Sequence, residues 1–210
     1  MSESDPTLDP TAALSIVTDQ RRTAQSGLLP DARVTYLTWA VAWLIAFGGL
    51  WLAVRPQPND SPPIWGWIVY AAAIASGIAL TVGYAARRMH GIRGTTVTAV
   101  RRWSLTWFTG FFGGMWAGST IAAHLPPSQA LVIYNLLAAL IPGLLYMALG
   151  TFTDDRASFL VGGWWIVLAV AATVIGVPTG LLVMALGGAA GMIVMLAVES
   201  VRRSRRARTA

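Results

Sequence analysis

Cysteine and lysine are both missing from this chain of 210 residues, and histidine occurs only twice. Without cysteine, the protein has no disulfide, no thiolate nucleophile and no Cys-ligated zinc site. Charged residues make up 11% of the sequence and hydrophobic residues 55%, whereas soluble domains carry about 25% charged residues. This composition excludes a soluble globular protein, because most of the surface has to face lipid.

Six stretches without charge match the roughly 20 residues needed to cross hydrocarbon about 30 Å thick. They predict an all-α, six-span transmembrane helical bundle over residues 34–198, followed by a basic cytoplasmic tail, residues 199–210. The last two stretches form one uncharged run that would be about 60 Å long as a single helix. The run must therefore fold back, and Gly176–Gly180 has the glycine and proline that permit a turn. The spans are predicted at 34–54, 64–86, 103–123, 129–150, 159–176 and 179–198.

The positions of the arginines predict the orientation. With both termini in the cytoplasm, Arg55 is the only one of the 15 arginines on the outer side. Positive residues near membrane spans are retained in the cytoplasm, so the bundle is predicted to be N-in/C-in. The inner face is expected to attract anionic lipid, at about 1 kcal/mol per arginine. Because retention already explains these charges, no nucleic-acid partner is expected.

Residues 1–33 are predicted to be a cytoplasmic N-terminal segment. Glu3, Asp5 and Asp9 precede any positive charge, which is unlike a secretory signal. Asp9-Pro10 predicts the start of a short amphipathic helix. We expect this helix to lie on the inner membrane surface or on the bundle, with docking of a cytoplasmic partner as the alternative.

No motif identifies a reaction. His90 and His124 lack further ligands at metal-binding spacing. Asp154 and Asp155 could hold Mg²⁺ only with more carboxylates, so we interpret them as a turn that caps the fifth span. No catalytic, cofactor-binding or metal-ligating residue is predicted, and the protein is not expected to be an enzyme.

Small residues recur at helical spacing in two spans. Gly110, Gly114 and Gly118 repeat every four residues in the third span, and Gly187 and Gly191 do so in the sixth. Such strips let another helix backbone approach closely. They predict tight packing inside the bundle, with homo-oligomerisation through the third span as the alternative.

The fourth span contains Asn135 and Pro142. The Asn135 amide needs a hydrogen-bond partner inside the bundle, and a bond to another helix is the expected one. Pro142 leaves a carbonyl without its helical donor and is expected to kink the helix. The alternative is that these two residues form a polar pocket that a solute occupies.

Asp9-Pro10, Leu28–Arg33 and Trp39–Leu44 resemble the corresponding segments of uncharacterised polytopic membrane proteins of actinobacteria, over residues 1–55. The resemblance implies a bacterial plasma membrane and carries over no functional residue. The sequence as a whole predicts a non-enzymatic membrane component or accessory subunit of a larger assembly. The alternative is a small transporter or permease for a neutral or hydrophobic solute.

Overall fold

Six helices make up most of the part of the chain that the structure describes. The computed structural model describes residue 14 and residues 31–57, 61–90 and 95–209. Apart from Leu14, the predicted N-terminal helix lies outside these residues. The fold is all-α, as the sequence predicts. The helices are α1 (Ala32–Val54), α2 (Ile64–Met89), α3 (Thr95–Ala122), α4 (Pro127–Thr153), α5 (Arg156–Ile175) and α6 (Thr179–Thr209).

Five of these helices are long and apolar enough to cross a membrane, by length and composition. They are α1, α2, α4, α5 and α6, with mean hydropathies between 1.8 and 2.4. Helix α3 is not among them, although no charged residue lies between Trp103 and Ala122. Glycine, threonine, serine and tryptophan fill much of that segment and lower its hydropathy. The composition thus supports five of the six predicted spans.

Local sequence signals set several of the helix ends. Helix α1 begins after Asp31, whose carboxylate accepts a hydrogen bond from a backbone N–H of the first turn. Helix α4 begins with Pro127, at a position where the missing N–H has no helical acceptor to lose. Helix α5 ends before Gly176, whose φ of 72° favours glycine, and α6 begins at Thr179. The uncharged run 159–198 folds back at this turn.

The packing order of the helices differs from their chain order. Helix α2 packs on α1, α1 on α6, α6 on α5, α5 on α4, and α4 on α3. The row is therefore α2–α1–α6–α5–α4–α3, in which the first and the last of the six helices, α1 and α6, are neighbours. The contacting residues show that neighbours run antiparallel: for example, Gly66 lies against Ala53 and Gly77 against Ala42.

Aromatic side chains form the centre of the bundle. Trp43 and Phe47 of α1 and Trp165 of α5 are buried, with at most 4% of each exposed. The Trp43 and Trp165 rings pack edge to face, with centroids 4.7 Å apart and planes at 76°. Fully buried Met184 and Ala185 bring α6 into the same cluster. The core thus joins α1 to α5 and α6, which lie far from it in the chain.

Helices α4 and α5 make the most extensive contact, and glycines allow it. A Cβ atom on Gly162 would lie 2.5 Å from the carbonyl oxygen of Gly143 and 2.5 Å from the backbone nitrogen of Met147. A Cβ on Gly150 would meet the backbone of Phe159. Between helices in a bilayer, dispersion contacts replace the hydrophobic effect as the main attraction. Backbone proximity along this pair therefore stabilises the bundle directly.

Candidate functional site

Asn135 of α4 is a buried amide without a protein partner. Only 2% of the residue is exposed, and neither its side-chain oxygen nor its side-chain nitrogen forms a hydrogen bond with the described residues. The interhelical bond expected from the sequence is not formed, so that prediction was wrong. Leaving a buried polar group unpaired destabilises a protein by about 1–3 kcal/mol. The side chain thus presents an unused donor and an unused acceptor inside the bundle.

Asn135 lines a cavity of about 120 Å³, here called the Asn135 cavity. Five helices contribute to its wall, which contains four aromatic rings and no charged group. The rings of Trp67 and Tyr134 contact each other with centroids 6.2 Å apart and so join α2 to α4. The wall consists of Phe47, Leu50, Trp67, Tyr70, Met115, Leu131, Tyr134, Asn135 and Leu181.

The helix order explains why a cavity forms at this place. Helices α2 and α3 follow one another in the chain but stand at opposite ends of the packing row. Both nevertheless reach the cavity, α2 through Trp67 and Tyr70 and α3 through Met115. The row therefore curves around the Asn135 cavity, and its two end helices border the cavity without tight mutual packing.

Pro142 does not line the Asn135 cavity. It is buried inside α4, which remains one helix from Pro127 to Thr153. Proline has no N–H, so the carbonyl of Ala138 lacks its usual helical donor. Of the two residues predicted to form a polar pocket, the structure places only Asn135 at a cavity.

On α3, two of the three predicted packing glycines contact α4. A Cβ on Gly114 would lie 2.5 Å from Cδ1 of Ile141, and one on Gly118 would meet the side chain of Leu137. Gly110 has no atom within 4 Å of its Cβ position. The glycine strip of α3 therefore contacts α4 only toward its C-terminal end, at Gly114 and Gly118.

The two glycines of α6 lie against α5. Gly187 faces the side chain of Leu168, and Gly191 faces the indole of Trp164. The Trp164 indole N–H also donates a hydrogen bond of 3.0 Å to the Gly187 carbonyl oxygen. The two glycines of α6 thus let α5 approach closely, and the Gly187 carbonyl adds a polar contact between the two helices.

Within the part of the chain that the structure describes, all arginines but Arg55 lie at one end of the bundle, here called the arginine-rich end. Neighbouring helices are antiparallel, so this end holds the starts of α1, α3 and α5 and the ends of α2, α4 and α6. Arg203 of α6 lies 3.2 Å from Asp31 before α1, and Arg202 lies 2.9 Å from Asp155 before α5. These ion pairs tie the end of α6 to the starts of two neighbouring helices.

Two of the carboxylates at the arginine-rich end, those of Asp31 and Asp155, are held in the charged form. Burial raises the pKa of Asp155, but hydrogen bonds from Ser158 and Arg202 outweigh burial and keep the pKa below its usual value. The hydroxyl of Ser158 lies 2.6 Å from the Asp155 carboxylate. A hydrogen bond from the Arg33 guanidinium lowers the pKa of Asp31. These groups form a structural clamp in which neither Asp31 nor Asp155 is left without a partner.

We expect Asp155→Asn to destabilise the protein by about 1 kcal/mol at neutral pH, because the variant loses the ion pair with Arg202 and one of the two oxygens that accept backbone hydrogen bonds at the start of α5. A lowered pKa makes the carboxylate's contribution fully present above its unfolded value, near 3.8, and lost as the pH falls through the lower folded value. The stability difference between wild type and variant should therefore shrink below about pH 4. Thermal unfolding in detergent at several pH values measures it.

Asp154→Asn is the matched control for this change. Asp154 has a φ of 51°, which asparagine also tolerates, and it ends α4 without a hydrogen bond from the α5 backbone. Equal losses of stability for Asp154→Asn and Asp155→Asn would contradict the clamp at Asp155.

The other predicted polar positions are separate from the cavity. His90 and His124 are exposed near opposite ends of the bundle. Among the described residues, no group of three or more His, Asp or Glu side chains is placed to hold a metal ion.

Comparisons with protein-family models, with curated proteins and with solved structures found no significant match to this chain. No family or homologue is therefore identified, and the resemblance over residues 1–55 stays a prediction. The chain has the helices of a polytopic membrane protein, and its activity has to be argued from its own residues.

Most of the cavity wall was not anticipated from the sequence. Leu50, Leu131 and Leu181 look like ordinary apolar span residues, and no pattern distinguishes them from residues that face lipid. The polar Asn135 within an apolar span was the available signal. It marked the site but not the helices that surround it.

Proposed function

We propose that the protein is a six-crossing, N-in/C-in component of a bacterial plasma membrane that acts without catalysis as a subunit of a larger assembly. The main support is the segregation of the arginines to one end of an antiparallel bundle. Positive residues beside spans stay in the cytoplasm. On this orientation the arginine-rich end faces the cytoplasm and anionic lipid headgroups.

The packing of α3 supports the sixth crossing. Trp107 contacts Tyr146 at a centroid distance of 5.5 Å, and Gly118 lies against Leu137. Helix α3 thus follows α4 in the opposite direction over about 17 Å, at 1.5 Å per residue. Four of its hydroxyl groups bond to its own carbonyls, as Thr109 does to that of Leu105 at 2.8 Å, so these four can enter lipid without unpaired donors.

Reporter fusions test the number of crossings. We expect fusions after Arg93 and at Ala210 to be cytoplasmic and a fusion after Leu125 to be periplasmic. If α3 did not cross, the fusion after Leu125 would become cytoplasmic and the one at Ala210 periplasmic. A phosphatase active only in the periplasm and a fluorescent protein active only in the cytoplasm give opposite readouts at each position.

The outer side of α3 supports assembly with a partner. Phe108 and Phe112 are 61% and 47% exposed, and Trp116 is 77% exposed, on a helix that packs against one neighbour. Large aromatic residues are enriched where proteins associate. A second copy of the chain or another membrane protein could cover this side.

A photo-crosslinking amino acid at Trp116 tests the assembly in native membranes. We expect a protein adduct, either of twice the chain's mass or with another protein. The same amino acid at Val167 of α5, which is 61% exposed, is the control and should give lipid adducts alone. Lipid adducts at both positions would contradict the assembly.

Transport of a neutral solute is the second candidate, and the Asn135 cavity favours it. A polar group facing a cavity within a span is the kind of position that solutes contact in membrane carriers. Protein-dependent uptake into proteoliposomes that is reduced by Asn135→Leu would support this function. The absence of such uptake across polar and apolar neutral solutes would count against it.

A further inference from the structure

We infer that the Asn135 cavity is a binding site for a small neutral aromatic molecule that carries one hydroxyl or carboxamide group. The inference deepens the transport candidate by naming a class of solute, but it concerns binding and does not require movement across the membrane. Three properties of the cavity carry the argument: its one unpaired amide, its aromatic wall and its size.

The amide determines the polar group of the ligand. Asn135 offers one acceptor oxygen and one NH₂ donor, and neither has a protein partner. A hydroxyl group can both donate to the oxygen and accept from the nitrogen, and a carboxamide can make the two bonds side by side. A charged ligand does not fit, because the wall holds no counter-charge and burying an unpaired charge is strongly unfavourable.

The wall determines the apolar part of the ligand. Phe47 and Tyr70 meet at 90° with centroids 5.4 Å apart, and Trp67 and Tyr134 meet at 85°. Such edge-to-face pairs leave ring faces and ring edges that a further aromatic ring can contact in the same way. Three leucines and Met115 make up the rest of the wall and favour an apolar body.

The size limits the ligand to one ring. The cavity has a volume of about 120 Å³, and a dry apolar cavity of about 150 Å³ accommodates benzene. A single ring with one small polar group is therefore the upper limit, and a bicyclic molecule is too large. The cavity is also partly open, and the two helices at the ends of the packing row, α2 and α3, border it.

Fluorine NMR of the full chain in lipid nanodiscs tests the inference with two probes of equal shape. 4-Fluorophenol carries the hydroxyl that Asn135 would bind, and 4-fluorotoluene carries a methyl group in its place. We expect saturable binding of 4-fluorophenol to wild type, beyond its partitioning into empty nanodiscs. Asn135→Leu should weaken that binding about tenfold, the effect of losing about 1.4 kcal/mol of hydrogen bonding. The same substitution should change the affinity for 4-fluorotoluene less than twofold.

Two further variants make the result interpretable. Met115→Phe would fill the cavity from α3 while Asn135 remains, so it should abolish saturable binding of both probes. Leu144→Ala changes a residue of α4, the helix that carries Asn135. Leu144 is 54% exposed, so this variant should bind both probes like wild type. Each variant is compared only if it elutes as a single species and retains its helical circular dichroism.

The inference fails if wild type and Asn135→Leu bind 4-fluorophenol equally, or if wild type shows no binding beyond empty nanodiscs. A site that holds only water would give the second result, together with a raised unfolding temperature for Asn135→Leu. Binding without protein-dependent flux in proteoliposomes would overturn the transport candidate and leave the binding site standing.

Discussion

Gly162→Ala is expected to destabilise the protein by about 1–3 kcal/mol, although it adds a single methyl group. The new Cβ would lie 2.5 Å from two backbone atoms of α4, the Gly143 oxygen and the Met147 nitrogen. Backbone atoms cannot rotate away as a side chain does, so α4 and α5 would have to separate. Overpacking of this kind typically has such an effect, and here it falls on the most extensive helix contact in the bundle. Thermal unfolding in detergent measures the loss.

Gly163→Ala is the matched control, because Gly163 is the next residue of the same helix. No atom lies within 4 Å of its Cβ position. Alanine favours a helix over glycine by up to about 1 kcal/mol, so this variant should be neutral or slightly stabilised. If the unfolding temperature falls for Gly162→Ala and stays or rises for Gly163→Ala, then backbone proximity, and not helix propensity, determines the change in stability. Equal shifts would contradict the packing of α4 on α5.

Trp165→Ala is expected to have an even larger effect, a loss of about 3–5 kcal/mol, as for other buried aromatic residues. Trp165 is 1% exposed and packs on Trp43 at the centre of the bundle. The substitution removes an indole at the meeting point of α1, α5 and α6 and leaves a cavity that the surrounding backbone cannot close. We expect a large fall in the yield of monodisperse protein and in the unfolding temperature.

Trp116→Ala provides the comparison for this prediction. Trp116 is 77% exposed and belongs to α3, so its removal should change the unfolding temperature of the isolated protein little. In native membranes the same variant should weaken the proposed assembly. A fall in stability as large as that of Trp165→Ala would mean that α3 packs in another way.

The five candidate spans were predictable because each depends on local composition. Uncharged stretches of the right length mark α1, α2, α4, α5 and α6, and Gly176 with Pro178 marks the turn between the last two. Helix α3 is the instructive exception. It has no charge in its apolar part, but its glycine and hydroxyl residues lower its hydropathy, and two of its glycines, Gly114 and Gly118, contact α4.

The helix neighbours and the cavity were not predictable in this way. Contacts such as Trp43 with Trp165 join residues far apart in the chain, and many apolar side chains could satisfy the same pattern. The sequence does show that Asn135 needs a partner. It cannot show that the partner is missing, because this depends on how α2, α3 and α4 curve around one point.

The helix order also has a consequence for biosynthesis. Of the six helices, α1 is translated first, yet its most extensive contact is with α6, which is translated last. Until the ribosome has finished α6, Trp43 lacks the close contact with Gly188, and Asp31 lacks its ion pair with Arg203. A product truncated before residue 179 would therefore leave the α1 side of the central interface exposed, with Trp43 and Asp31 deprived of these contacts.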